Sequence, residues 1–330
     1  MQIAKKIQVF RKIKPLFLAS ALAFGFITQP AQAALTFNFN YLNPSQGFQD
    51  ATLGAARQTA LNQAADLLGA YFTNYTATLD YDVVSYSSTT LNTLASAGSG
   101  SFVVPGSFQQ TFVQSKILGN GVDANGTAAD GEINWNFGQN WGLTDNVAAN
   151  EFDFKKVAVH ELLHSFGFAS YTQSDGAGLT GQLPGTADTW AIFDQFLTDA
   201  SGNRLISNAG IFNSSQVATL TGGSGSLLFS GANAKAANGG ASVNLYAPAI
   251  YADGSSTSHL DDDTLAFADL IMTSSTYAGL QTRTLSGVEL GILKDIGYTN
   301  ISAVPEPSMA WLMLGGLFVV LGAARRRNIL

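Results

Sequence analysis

His160, Glu161 and His164 form the pattern HExxH, in a chain of 330 residues that holds only three histidines. Positions i and i+4 lie on one face of a helix, so both imidazoles can reach a single point. A pair so placed can grip one zinc ion, and the glutamate beside the first histidine can reach a water on that ion. Together these groups can hydrolyse a polar bond, with the carboxylate moving the proton. The plain alternative is a buried helix with two hydrogen-bonded histidines. Catalytic zinc takes three protein ligands and keeps one position open, so two histidines are not a complete site.

The elements around the motif must hold it in place. Glu151 and Asp153 suit a helix N-terminus, so the site helix is expected to start there. Phe154, Val157, Ala158, Leu162 and Phe166 are its packing residues. Gly167, three residues after His164, can take the left-handed conformation that ends a helix. Residues 34–41, 76–86 and 132–137 alternate apolar and polar and read as strands. Residues 48–72 are helical in pattern, 96–101 form a Ser/Gly-rich loop, and 111–118 are a strand or a helix end. The strand 132–137 is read as the edge that would hold a substrate backbone by strand addition. Asp123, Asn125, Thr127 and Asp130 place oxygens on a loop that could suggest structural calcium. It lacks the glycine and terminal glutamate of an EF-hand, which favours a solvated turn. Residues 169–260 are loop-rich, with short strand candidates at 189–197 and 227–229, and Asp188 and Asp194 read as structural polar residues. Ser286 with Glu289 forms a capping-box pattern for a last helix over 286–296, closed by Gly297. The fold class expected is α+β: a mixed twisted sheet, a site helix and a loop-rich C-terminal subdomain.

The two ends read differently. Residues 1–33 carry Lys5, Lys6, Arg11, Lys12 and Lys14, then an apolar run over 16–27, then Ala31-Gln32-Ala33. This is the pattern of a secretory signal peptide. Residues 304–330 contain Pro305-Glu306-Pro307, an apolar run over 309–324 of transmembrane length, and Arg325-Arg326-Arg327, which should stay cytoplasmic. This tail resembles the PEP-CTERM sorting signal of Gram-negative bacteria. The resemblance implies export, brief membrane anchoring through the C-terminal helix, processing by an exosortase-type enzyme, and a final place at the cell surface or outside the cell. Between the ends lies one expected domain, 34–303, with an upper part 34–167 and a lower part 168–300. Eight of the 16 Lys and Arg and one of the 23 Asp and Glu fall in the ends, which leaves the domain at about −14. Such a balance argues against nucleic acid as a partner. With no cysteine, disulfides and thiolate metal sites are excluded.

The motif itself resembles the metzincin zinc proteases, whose pattern HExxHxxGxxH this chain follows as far as Gly167. The next position is Ser170, a poor zinc ligand. A gluzincin would need a downstream glutamate on a second helix. Only Glu289 and Glu306 follow Glu161; Glu289 reads as a capping residue and Glu306 lies in the tail. His259 stands 95 residues after His164, in Ser258-His259-Leu260-Asp261, and Leu270-Ile271-Met272-Thr273 follows. This spacing is similar to the leishmanolysin-like metzincins, where an insertion separates the glycine from the third histidine and a methionine turn comes after. The resemblance implies that His160, His164 and His259 bind one catalytic Zn2+, that Glu161 is the general base, and that Met272 lies beneath the metal. Thr273-Ser274 departs from the small residue and proline common in that turn. An aspartate of the run 261–263 could orient a ligand imidazole, and Tyr277 could donate to an oxyanion, though a core or surface tyrosine fits it better. Phe152, Phe154 and Phe168 read as core. The function implied is an exported zinc endopeptidase acting on peptide or protein substrates. The alternative is a non-catalytic surface or exopolysaccharide-matrix protein on a zincin scaffold.

Overall fold

The computed structural model describes residues 35–303. The expected signal peptide over 1–33 and the expected sorting tail over 304–330 lie outside the described residues. Among the described residues no helix is long and apolar enough to cross a membrane.

The fold is mixed α+β. Its main sheet has four strands: β1 (Leu35–Tyr41), β2 (Ala77–Tyr86), β3 (Ala95–Gly98) and β5 (Gly131–Asn136). Their order is β1-β2-β5-β3. β1, β2 and β5 are parallel, and β3 runs antiparallel to β5 at the edge. β4 (Ser107–Gln109) lies outside this sheet and pairs parallel with β8 (Thr189–Ala191). The strand 132–137 is therefore paired on both sides, and the edge beside it belongs to β3, in what reads as a Ser/Gly loop. Alternation identifies a strand but not its place in the sheet.

Helices pack on this sheet. α1 (Gly54–Gly69) buries Ala60, Leu61, Ala64, Ala65 and Leu68 at helical spacing, and the alanines allow close approach. Next comes α2 (Phe112–Leu118), capped by the Thr111 hydroxyl on the Gln114 amide, so 111–118 is a helix. The loop suggested for calcium already holds a cation. The Lys116 ammonium lies 2.9 Å from Asp123, 2.9 Å from Asp130 and 3.4 Å from Asp80. An ammonium fills the place a calcium ion would need.

After β6 (Trp141–Gly142) and β7 (Phe152–Asp153), which pair with each other, comes α3 (Phe154–Ser165), the helix of the HExxH pattern. Phe154 packs against Trp135 of β5 with ring centroids 4.1 Å apart. Beyond α3, Phe166 sits between Phe72 and Tyr298. The C-terminal part holds β9 (Leu197–Asp199), β10 (Leu227–Phe229) and β11 (Val243–Asn244) in one antiparallel sheet. α4 (Ala232–Ala237) packs on α5 (Gly287–Asp295). The span 169–260 is thus short strands, short helical segments and turns, and is loop-rich as its composition suggests.

Candidate metal centre

α3 begins where Asp153 caps it: Oδ1 accepts from the Lys156 amide at 3.1 Å. Asp153 is itself held by Arg283 Nε at 2.9–3.0 Å. One helical turn separates His160 from His164, and both point out of the same face. Gly167 then turns the chain with φ +95°, and a Cβ there would lie 2.8 Å from the Gln114 side chain. This turn brings the Phe168 carbonyl to His164 Nδ1, at 2.8 Å.

The third histidine arrives from the far side. Residues 257–261 run antiparallel to 244–246: Thr257 donates to Tyr246 O, Tyr246 to His259 O, and Asp261 to Asn244 O. Leu260 bridges Leu245 on one side and Thr273 on the other. This ladder fixes the register that points His259 at α3. Thr257 pays locally for the geometry, since it is a buried β-branched residue at φ +69°. Ser170, which takes the third ligand's place in the short pattern, instead donates its amide to Ser258 Oγ at 3.0 Å, next to His259.

The tautomers follow from the partners. His160 Nδ1 faces Ile271 O at 2.7 Å, His164 Nδ1 faces Phe168 O at 2.8 Å, and His259 Nδ1 faces Ser255 O at 2.7 Å. A carbonyl only accepts, so each Nδ1 carries the proton and each Nε2 offers a lone pair. The three Nε2 atoms lie 3.1–3.2 Å from one another. Three lone pairs so close repel unless a cation lies among them. Three nitrogens on a tetrahedral zinc with bonds of about 2.0–2.1 Å would be about 3.3 Å apart. The donor set therefore fits a metal ion held by His160, His164 and His259.

Electrostatics agree with neutral imidazoles. Burial, first, holds His164 down at about 4, against the Phe168 carbonyl. Burial and then the neighbouring His164 bring His259 down to about 3. His160 lies well below the usual value through burial, then the charges of His164, His259 and Lys156. Burial pushes Glu161 up to about 8, opposed by the Ala97 amide and the Lys156 ammonium.

These groups line a cavity of about 870 Å³ between β3 and the segments 253–259 and 273–276. His160, Glu161, His164 and His259 all face it. Met272 is buried, and its carbonyl accepts from the amide of Leu260, next to His259, at 2.8 Å. Asp261–Asp263 do not orient an imidazole; the partner of His259 is the Ser255 carbonyl. Asp262 holds Ser274 N and Oγ and Ser275 Oγ, shaping the turn after Met272. Tyr277 is exposed and donates to Asp269. Phe154 and Phe168 are core, whereas Phe152 is only half-buried and lines the cavity. No family model, curated protein or solved structure matches this chain.

Two contributors escape a sequence reading. Glu289 does cap α5, as its spacing suggests, but Oε1 also accepts from Met272 N at 2.8 Å. The cap thereby fixes the residue next to Ile271, whose carbonyl holds His160. Lys156 is the other: one turn before His160, it lines the cavity.

Proposed function

We propose that the chain is an exported zinc-dependent endopeptidase of the metzincin type. The observation that carries this reading is the meeting of three Nε2 lone pairs beside Glu161, at an open cleft with an edge strand. Zinc held by His160, His164 and His259 would supply a Lewis acid that polarises a carbonyl and acidifies water. Glu161 faces the same cavity beside His160, and its carboxylate would take the proton of the attacking water. The water oxygen bonds to the scissile carbonyl carbon, the C–N bond breaks, and the proton held on Glu161 passes to the leaving nitrogen.

The substrate strand is assigned to β3 instead of β5. β3 ends the sheet and lines the cavity, so its outer edge is where an extended peptide would add as a strand. Its side chains are Ala, Ser, Ala and Gly, which leave room for one. Export, exosortase processing and surface location belong to the same proposal and rest on residues 1–33 and 304–330.

The test is to express residues 34–303, measure bound zinc, and assay casein cleavage beside Glu161→Gln. One zinc per chain in both, with cleavage in the parent and a loss of about 10³-fold or more in the variant, is expected. Zinc at one per chain without Glu161-dependent cleavage would overturn the protease and leave the binding scaffold.

A further inference from the structure

Lys156 is 2% exposed and stands one helical turn before His160. Other cations drawn into the fold are paired. Lys116 meets Asp130 at 2.9 Å, Lys155 meets Asp145 at 2.7 Å, and Arg283 meets Asp145 at 2.6 Å and Asp153 at 2.9 Å. Among the described residues, Lys156 Nζ has neither a hydrogen bond nor an ion pair. The carboxylates in its electrostatic neighbourhood are Glu289, Asp262, Asp153 and Glu161. The first three are engaged elsewhere. Glu289 accepts from Met272 N and Ser286 N, Asp262 from Ser274 and Ser275, and Asp153 from Arg283 and the Lys156 amide. Lys156 lines the same cavity as His160 and Glu161, with Phe152 and residues 273–276 around it. An ammonium largely withdrawn from water without a partner is costly. An anion entering the cavity would recover that energy.

We propose that Lys156 is a specificity-determining residue, and that this cleft takes peptides carrying a carboxylate one or two residues from the bond that is cut. The inference rests on the peptidase reading for the position of that bond. One helical turn rises about 5.4 Å, and an extended peptide advances about 3.3 Å per residue. A group reaching Lys156 is therefore one or two residues from a carbonyl placed at His160. The domain is acidic overall, so its long-range field does not attract such a peptide. Selection arises from short-range pairing inside the cavity. The carboxylate could be an Asp or Glu side chain or the free C-terminus of a peptide.

The experiment uses the zinc-loaded domain 34–303 that carries the activity test, with Lys156→Met and Lys156→Arg. Blocked fluorogenic peptides carry Glu or Gln, and Asp or Asn, at each position within two residues of the cut. A second set ends in a free or an amidated C-terminus. The parent is expected to favour the acid by roughly 10- to 100-fold in kcat/KM at one position. Lys156→Met loses the preference and Lys156→Arg keeps it. A preference confined to the free C-terminus assigns the terminal carboxylate. Equal rates on acid and amide in both sets overturn the proposal. If the parent cleaves no peptide, the peptidase reading fails and calorimetric binding of the same pairs decides the pocket. A Lys156-dependent preference for the acid supports it, and equal or no binding overturns it. Thermal melting separates a structural lysine: Lys156→Met should melt no lower than the parent, and a marked drop argues against a free cation.

Discussion

Each imidazole of the cluster gives its Nδ1 proton to a backbone carbonyl, and none relies on a carboxylate. The orientation of the ligands is thus built into the chain path at Ile271, Phe168 and Ser255. His259 is the residue on which completeness depends. His259→Ala should lower bound zinc from about one per chain to near zero at micromolar free metal, with the fold retained. Equilibrium dialysis beside circular dichroism checks this, and unchanged zinc content would refute the ligand assignment. The pair His160 and His164 is legible from spacing alone, because a helix repeats on that interval. His259 is legible only through resemblance and the scarcity of histidine. Lys156 gives no signal in the sequence, since a lysine on a helix is ordinarily solvated; only its burial marks it.

At the scale of elements, the site is a junction of α3, the ladder around Leu260 and the start of α5. Glu289 joins the last two, because one carboxylate serves both Ser286 N and Met272 N. Glu289→Ala leaves the buried Met272 amide and the half-buried Ser286 amide without acceptors, for a loss of about 2–4 kcal/mol in urea unfolding. It should also weaken zinc binding about tenfold, as Ile271 O releases its hold on His160. Glu289→Gln should recover part of both. A variant that loses stability while keeping full zinc affinity would show that the turn does not position His160. The capping role was readable because Ser286 and Glu289 are close in sequence. The bond to Met272 spans 17 residues and depends on the packing of α5. β3 was obscured for a different reason: Ala, Ser and Gly have weak strand preference, and its extended form comes from pairing with β5.

At the scale of the whole molecule, the fold carries a buried acid far from the cluster in sequence. Asp194 Oδ2 accepts from Tyr171 N and Ala191 N, while Oδ1 has no partner. Burial pushes its carboxyl up to about 6, against about 3.9 unfolded. A raised carboxyl contributes stability below the unfolded value and loses it as pH rises through the folded one. Relative to Asp194→Asn, the metal-free parent should therefore have its full margin below about pH 4. That margin should shrink by on the order of 2–3 kcal/mol by pH 7. Urea midpoints across this range test it, and a margin independent of pH would sink the assignment. The α+β class and the loop-rich span 169–260 could be read from composition and periodicity. The register that carries His259 across to α3 could not, because it is set by pairings between 244–246, 257–261 and 272–273. Those pairings would give a metal ion bound by the three histidines a second role. His164 and His259 are separated by 95 residues, in a chain without cysteine. One ion shared between them cross-links the chain much as a disulfide would. Closing a loop of that length is worth on the order of 4–5 kcal/mol by chain entropy. Withdrawing such an ion would thus open a long covalently unconstrained loop as well as empty the proposed reaction centre.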